Sequence, residues 1–128
     1  MTEVKKFSIE YGGRELKVEI GKLAGQADGS VFIRYGDTSV LVTAVMSEKQ
    51  KDADYMPLTV DYEERYYAAG KIKGSRWIKR ETRPGEEAIL HARMIDRTLR
   101  PRFDQRIRNE IQIVATVLSF DGENDPDI

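Results

Sequence analysis

The chain has no cysteine and only one histidine, one tryptophan and four prolines in 128 residues. Without cysteine there is no disulfide framework, no thiolate metal site and no cysteine nucleophile, and nothing requires an oxidising compartment. A cytoplasmic location is therefore expected. The lone His91 rules out a histidine-based triad or a multi-histidine metal site, and within a helical stretch it reads as a surface or flank residue. No apolar run approaches the roughly 18 residues of a membrane helix. Met1-Thr2-Glu3-Val4-Lys5-Lys6 has no apolar signal core, so a soluble, untargeted protein with no membrane partner is expected. What is present suits one globular domain: 40% hydrophobic and 34% charged residues.

The net charge of −1 hides a segregation along the chain. Residues 65–108 hold thirteen of the 21 basic residues against five acids, a local net charge of +8. The rest has eight bases against seventeen acids, or −9. Clustered cations interspersed with glycine and aromatics suit a polyanion, because binding to phosphates releases counterions. The alternative is a solvated face whose acidic partners come from elsewhere in the fold.

Hydrophobic alternation places the strands. Phe7, Ile9 and Tyr11 alternate, as do Leu16, Val18 and Ile20, and Gly12-Gly13 between them predicts a β-hairpin over Lys5–Tyr11 and Arg14–Ile20. Val31–Tyr35 and Ser39–Met46 follow, joined at Gly36-Asp37. The second of these is apolar on both sides and predicts a central strand covered on both faces. Ser47–Asp54 reads as a loop and Leu58–Tyr62 as a fifth strand. From Glu63 to about 83 the pattern gives way to a long, basic loop punctuated by Gly70 and Gly74. Pro84, with Glu86 and Glu87 after it, starts a helix that should end before Pro101. Ala88, Ala92, Ile95 and Leu99 form its core-facing stripe, while Arg93, Arg97 and Arg100 place three guanidiniums on another face. A last strand, about 110–120, is expected to be apolar on both sides. The Asp121–Ile128 run resembles a helix start, so the chain is expected to break off there and leave that strand short of one covering element.

The chemistry is mostly that of binding. The acidic tail Asp121, Glu123, Asp125 and Asp127 lacks the glycine placement and closing glutamate of a calcium loop. No Gly-Lys-Ser/Thr ends the glycine loop, which disfavours a nucleoside-triphosphate site. What remains is Gly74-Ser75-Arg76-Trp77-Ile78-Lys79-Arg80-Glu81-Thr82-Arg83-Pro84. An indole beside several cations is the combination that holds single strands, with the ring stacking on a base and the cations meeting the backbone. The competing reading folds Trp77 into the core and leaves the arginines to solvate the loop.

The same stretches carry a family resemblance. Gly29-Ser30-Val31, Arg34-Tyr35-Gly36-Asp37-Thr38, Pro57 to Glu64, Ala68-Ala69-Gly70-Lys71-Ile72, the helix from Arg83-Pro84 to Ile95-Asp96-Arg97, Leu99-Arg100-Pro101 and Asn124 to Ile128 together resemble the N-terminal part of bacterial polynucleotide phosphorylases. The similarity covers essentially all of residues 1–128, as the first half of the first RNase-PH-type domain. It implies an α+β fold, a mostly antiparallel sheet with one long helix packed on it. In this family a Phe-Phe-Arg/Lys-Arg element lines the RNA channel of a trimeric ring. The matching positions here are Trp77, Ile78, Lys79 and Arg80, so the second aromatic is aliphatic and stacking falls to Trp77. Arg83 and the Arg93, Arg97 and Arg100 stripe are expected to support RNA contact.

The resemblance further implies that the whole enzyme degrades single-stranded RNA from its 3' end with inorganic phosphate, releasing nucleoside diphosphates. It would act as a homotrimer, with Mg2+ or Mn2+, alongside other RNA-degradation proteins. No catalytic residue, metal ligand or cofactor is assigned within residues 1–128, whose role would be scaffold and RNA guide. Single-domain relatives carry a Gly-Gly-Thr-Arg phosphate loop after the strand matching Ile111–Phe120, where this chain has Asp121-Gly122-Glu123-Asn124. The alternatives are a single-domain RNase-PH or exosome-like nuclease subunit, and a non-enzymatic RNA-binding module with ribosomal-protein-like βαβ elements.

Overall fold

The computed structural model describes residues 3–71 and 86–126. Six strands form one sheet: β1 Lys5–Tyr11, β2 Arg14–Ile20, β3 Gly29–Tyr35, β4 Thr38–Gln50, β5 Leu58–Glu64 and β6 Asn109–Ser119. Their spatial order is β1-β2-β3-β4-β6-β5. Every pairing is antiparallel except β5 with β6. A parallel neighbour requires the chain to return along the sheet, and the helix α1, Glu86–Leu99, makes that crossover. Short 3-10 turns at Tyr66–Ala69 and Arg100–Arg102 flank the crossover segment. The architecture is the expected α+β fold.

The β1–β2 hairpin follows the sequence pattern. Gly12 and Gly13 have φ of 60° and 80°, the left-handed values that a two-residue turn needs at both central positions. The core lies between α1 and the β4–β6–β5 part of the sheet. Val40, Tyr62, Ala115 and Val117 pack with Ala88, and Ala92 and Ile95 close over them. Met56, Leu58, Ile111 and Ile113 form the second cluster, beneath Leu99, Phe103 and Ile107. All four residues of the helix stripe therefore face the core. His91 stacks obliquely on Tyr62, ring centres 5.1 Å apart, as a half-buried flank residue.

Several strand bounds and one expectation differ, and β3 already begins at Gly29. β4 runs on through Ser47–Gln50, where the polar sequence reads as loop, because Asn109 donates to the carbonyls of Ser47 and Glu48 and extends the β4–β6 pairing. β5 continues to Glu64, and β6 begins at Asn109. Among the described residues β4 is covered on one face only, unlike the expectation, and β6 also shows the open face anticipated for it. Ile111, Ile113, Ala115 and Val117 are buried while the residues between them are half-exposed or exposed, and Val45 on β4 is 46% exposed. Among the described residues, helical elements lie on one side of the sheet only, so apolar character on both sides of a strand did not translate into burial on both.

A polar knot ties the end of β6 to the β3–β4 turn and to β2. Asp121 accepts from the backbone N–H groups of Glu123 and Asn124, both at 2.9 Å, and from that of Asp37 at 3.1 Å. The Asn124 side-chain amide adds a bond of 2.6 Å. Arg14 reaches across from β2 to Asn124 Oδ1 at 3.0 Å and to Glu123 at 2.7 Å. Gly36 is required here, since a Cβ on it would come within 2.5 Å of the Asn124 amide nitrogen.

These N–H donors, chiefly those of Asn124 and Glu123, hold the Asp121 carboxyl well below its ordinary value of 3.8. A carboxylate whose pKa is lower folded than unfolded adds stability above the unfolded value, and that stability is lost as pH falls toward the folded one. Urea unfolding should thus show wild-type stability dropping as pH is lowered below about 4. Asp121→Asn should be less stable at neutral pH and lose less on acidification. A residual slope should remain from Glu19, held low by Lys22, and Asp104, held low by Arg106. Equal pH slopes in variant and wild type would contradict this role. Ile113→Ala, at a 3% exposed core position, should cost about 2–5 kcal/mol in the same assay.

Candidate nucleic-acid interface

The basic segment is held between β5 and α1. On its upstream side, Arg65 leads from β5 into the 3-10 turn, where its guanidinium meets Glu63 at 2.6 Å. Ala68 packs on the core and its carbonyl accepts the N–H of Phe120 at 3.0 Å, so the turn is fastened to the end of β6. Gly70 caps the turn in the left-handed region, φ 69°, and Lys71 follows with an exposed side chain. Trp77, Ile78, Lys79, Arg80 and Arg83 lie outside the described residues. On the downstream side α1 begins with Glu86 and Glu87 in its first turn.

Of the three arginines expected to share one helix face, Arg93 and Arg97 do. Both are exposed, one turn apart, with no side-chain hydrogen bond or ion pair among the described residues. Arg100 departs from that expectation. The helix ends at Leu99, and Arg100 sits in the following 3-10 turn with its side chain folded back on the protein. It makes a two-pronged contact with Asp96, 2.8 and 2.9 Å, and reaches the carbonyls of Met56 and Leu58 at 3.3 Å. Planar guanidinium–carboxylate pairing of this kind is strongly oriented, and it clips the end of α1 to the start of β5. Asp96, one turn earlier, is the sequence signal that could have foretold it.

Two features escape the sequence reading. Tyr66 and Tyr67 are exposed on the 3-10 turn at the root of the basic segment, with Tyr67 at 58%. Two adjacent tyrosines outside any alternating run were the available signal. The outer face of α1 is also not purely cationic, because Ile89, Leu90 and Met94 are exposed beside Arg93 and Arg97.

Among the described residues of the loop after β6, two backbone donors are already occupied. The N–H groups of Glu123 and Asn124 that could grip an anion are already taken by the Asp121 carboxylate. Among the described residues no group of three or more histidine or acidic side chains could hold a metal ion. No helix among them is long and apolar enough to cross a membrane.

Comparison with known proteins agrees with this geometry. A family model described as the 3' exoribonuclease family, domain 1, matches residues 12–127. Proteins named polyribonucleotide nucleotidyltransferase are 55% identical across all of this chain in Exiguobacterium sibiricum and 56% identical across 96% of it in Lysinibacillus sphaericus. In Deinococcus radiodurans the identity is 56% across 97%. The chain spans only 17%, 17% and 16% of the length of these three relatives. A solved structure of the Archaeoglobus fulgidus exosome with RNA bound to the active site shares the fold at TM-score 0.64 and 21% identity, over 86% of this chain and 45% of that one. The sheet, its crossover helix and the matched residues together show that the chain belongs to the 3' exoribonuclease family and carries its domain 1.

Proposed function

We propose that this chain is the RNA-guiding, non-catalytic portion of a phosphorolytic 3'-to-5' exoribonuclease, a polyribonucleotide nucleotidyltransferase. The observation that carries this reading is the placement of Arg93 and Arg97, exposed and unpaired among the described residues, on the helix that leaves the basic segment. Lys71 and the exposed Tyr67 stand at the other end of that segment. The relatives' name and the RNA in the exosome structure support the same direction. Within the segment, Trp77 supplies a face for a base, Lys79, Arg80 and Arg83 meet phosphates, and Ile78 takes the place of the family's second aromatic without its stacking face. Arg100 contributes by holding α1 in place, because its charge is shared with Asp96.

The whole enzyme would be a cytoplasmic homotrimer that binds single-stranded RNA, with other RNA-degradation proteins as further partners. It would cleave with inorganic phosphate and require Mg2+ or Mn2+. Among the described residues no group of three or more histidine or acidic side chains stands ready for that metal, and the Glu123 and Asn124 N–H groups are held by Asp121.

Two measurements test the reading. In the whole enzyme, Lys79→Ala/Arg80→Ala should weaken single-stranded RNA binding and flatten the log–log dependence of affinity on salt, by roughly 0.7 for each phosphate no longer neutralised. An unchanged slope and affinity would count against the segment. The 128-residue chain incubated alone with single-stranded RNA and phosphate should release no nucleoside diphosphate. Release would place catalysis within this chain and favour the single-domain nuclease reading.

A further inference from the structure

The Tyr66–Ala69 turn presents an aromatic ring that the fold does not use. The Tyr67 side chain is 58% exposed and makes no hydrogen bond or ring contact among the described residues. The backbone beneath it is nevertheless held from several sides. Gly70 donates its N–H to the Tyr67 carbonyl at 3.0 Å, and Ala68 donates to the carbonyl of Arg65 at 3.0 Å. Ala68 in turn packs on the core and accepts from the N–H of Phe120, which is itself 44% exposed. A second exposed aromatic residue therefore sits beside the turn. A tyrosine has only two side-chain torsions, so a ring on a backbone fixed in this way loses little further freedom when something flat lies on it.

The charges around the turn favour a polyanion. The Lys71 N–H bonds the Tyr66 carbonyl at 2.9 Å, which folds this exposed cation back beside the tyrosines. Two carboxylates at the same end of the sheet are already engaged, Glu63 by Arg65 at 2.6 Å and Asp121 by the N–H groups of Glu123 and Asn124. A protein contact would also use exposed rings, but an unengaged cation beside them, at the carboxyl end of β5, matches the pairing of ring and cation that holds single strands.

We infer that Tyr67 is a base-stacking residue, a fixed platform on which one unpaired base of RNA lies while Lys71 meets an adjoining phosphate. The inference rests on the RNA-guiding reading and adds a contact made to a base by a residue outside the basic segment's aromatic and cationic core. Every base has a flat face, so the contact carries little sequence preference. It does select for unpaired strands, because the faces of a base within a duplex are covered by its neighbours.

The test uses the whole enzyme and a single-stranded oligoribonucleotide, without inorganic phosphate so that the RNA stays intact. Tyr67→Leu, which keeps an apolar side chain and removes the ring, should weaken binding about tenfold, whereas Tyr67→Phe should stay within about twofold of wild type. Neither should alter the dependence of affinity on salt, while Lys71→Ala should flatten its log–log slope by roughly 0.7. Moving a single abasic nucleotide along the RNA should reveal a position at which Tyr67→Leu and wild type bind alike. Wild-type affinity in Tyr67→Leu would overturn the inference and leave the ring to a protein contact. So would an equal loss in Tyr67→Phe, an unchanged slope in Lys71→Ala, or a Tyr67→Leu defect that no abasic position removes. A slope flattened by Lys79→Ala/Arg80→Ala beside an unaffected Tyr67→Leu would remove this inference alone and leave the RNA-guiding reading standing.

Discussion

The parallel pairing of β5 with β6 is the constraint from which the rest of the molecule follows. Parallel neighbours cannot be joined by a tight turn, so the 44 residues between Glu64 and Asn109 must leave the sheet at the end of β5 and come back at the end where β5 began. The return leg is α1, and its small stripe, Ala88 and Ala92, lets the helix approach the sheet closely enough for Ile95 and Leu99 to seal both core clusters. The outward leg begins at the carboxyl end of β5. That end is where open sheets built from β-α-β units present their ligand-binding connections, and it is where the cation-rich segment is attached.

Arg100 and Asp96 give this crossover its stiffness. With one pair of bonds to the carboxylate and two more to the carbonyls of Met56 and Leu58, a single guanidinium joins the exit of the helix to the entry of β5. The pair is partly exposed, so its contribution lies more in orientation than in stability. Because the helix cannot rotate freely about its axis, Arg93 and Arg97 are presented in a constant direction.

Much of this is legible in the sequence wherever a short-range rule governs. The Gly12-Gly13 hairpin, the Gly36-Asp37 turn and the four-residue helix stripe follow from local conformational preference and periodicity, and the chain obeys both. What cannot be read locally depends on partners distant in sequence. The extension of β4 through Gln50 rests on Asn109, some sixty residues away. The one-sided burial of β4 depends on where helices are placed, which apolar content cannot reveal. Arg100 reads as part of a cationic stripe because helical spacing assigns a face, whereas the end of the helix and a carboxylate one turn back redirect its side chain. In the site, Tyr66 and Tyr67 escape notice because a pair of aromatics without periodicity reads as loop.

The turn after β6 has a consequence of its own. Its donors are satisfied by a carboxylate on the same strand end, so the segment carries a built-in counterpart of the oxyanion it would otherwise have to recruit. Such a turn is organised before any solute arrives and is indifferent to how much free phosphate surrounds it. The end of β6 is thereby set against the β3–β4 turn without help from any bound anion.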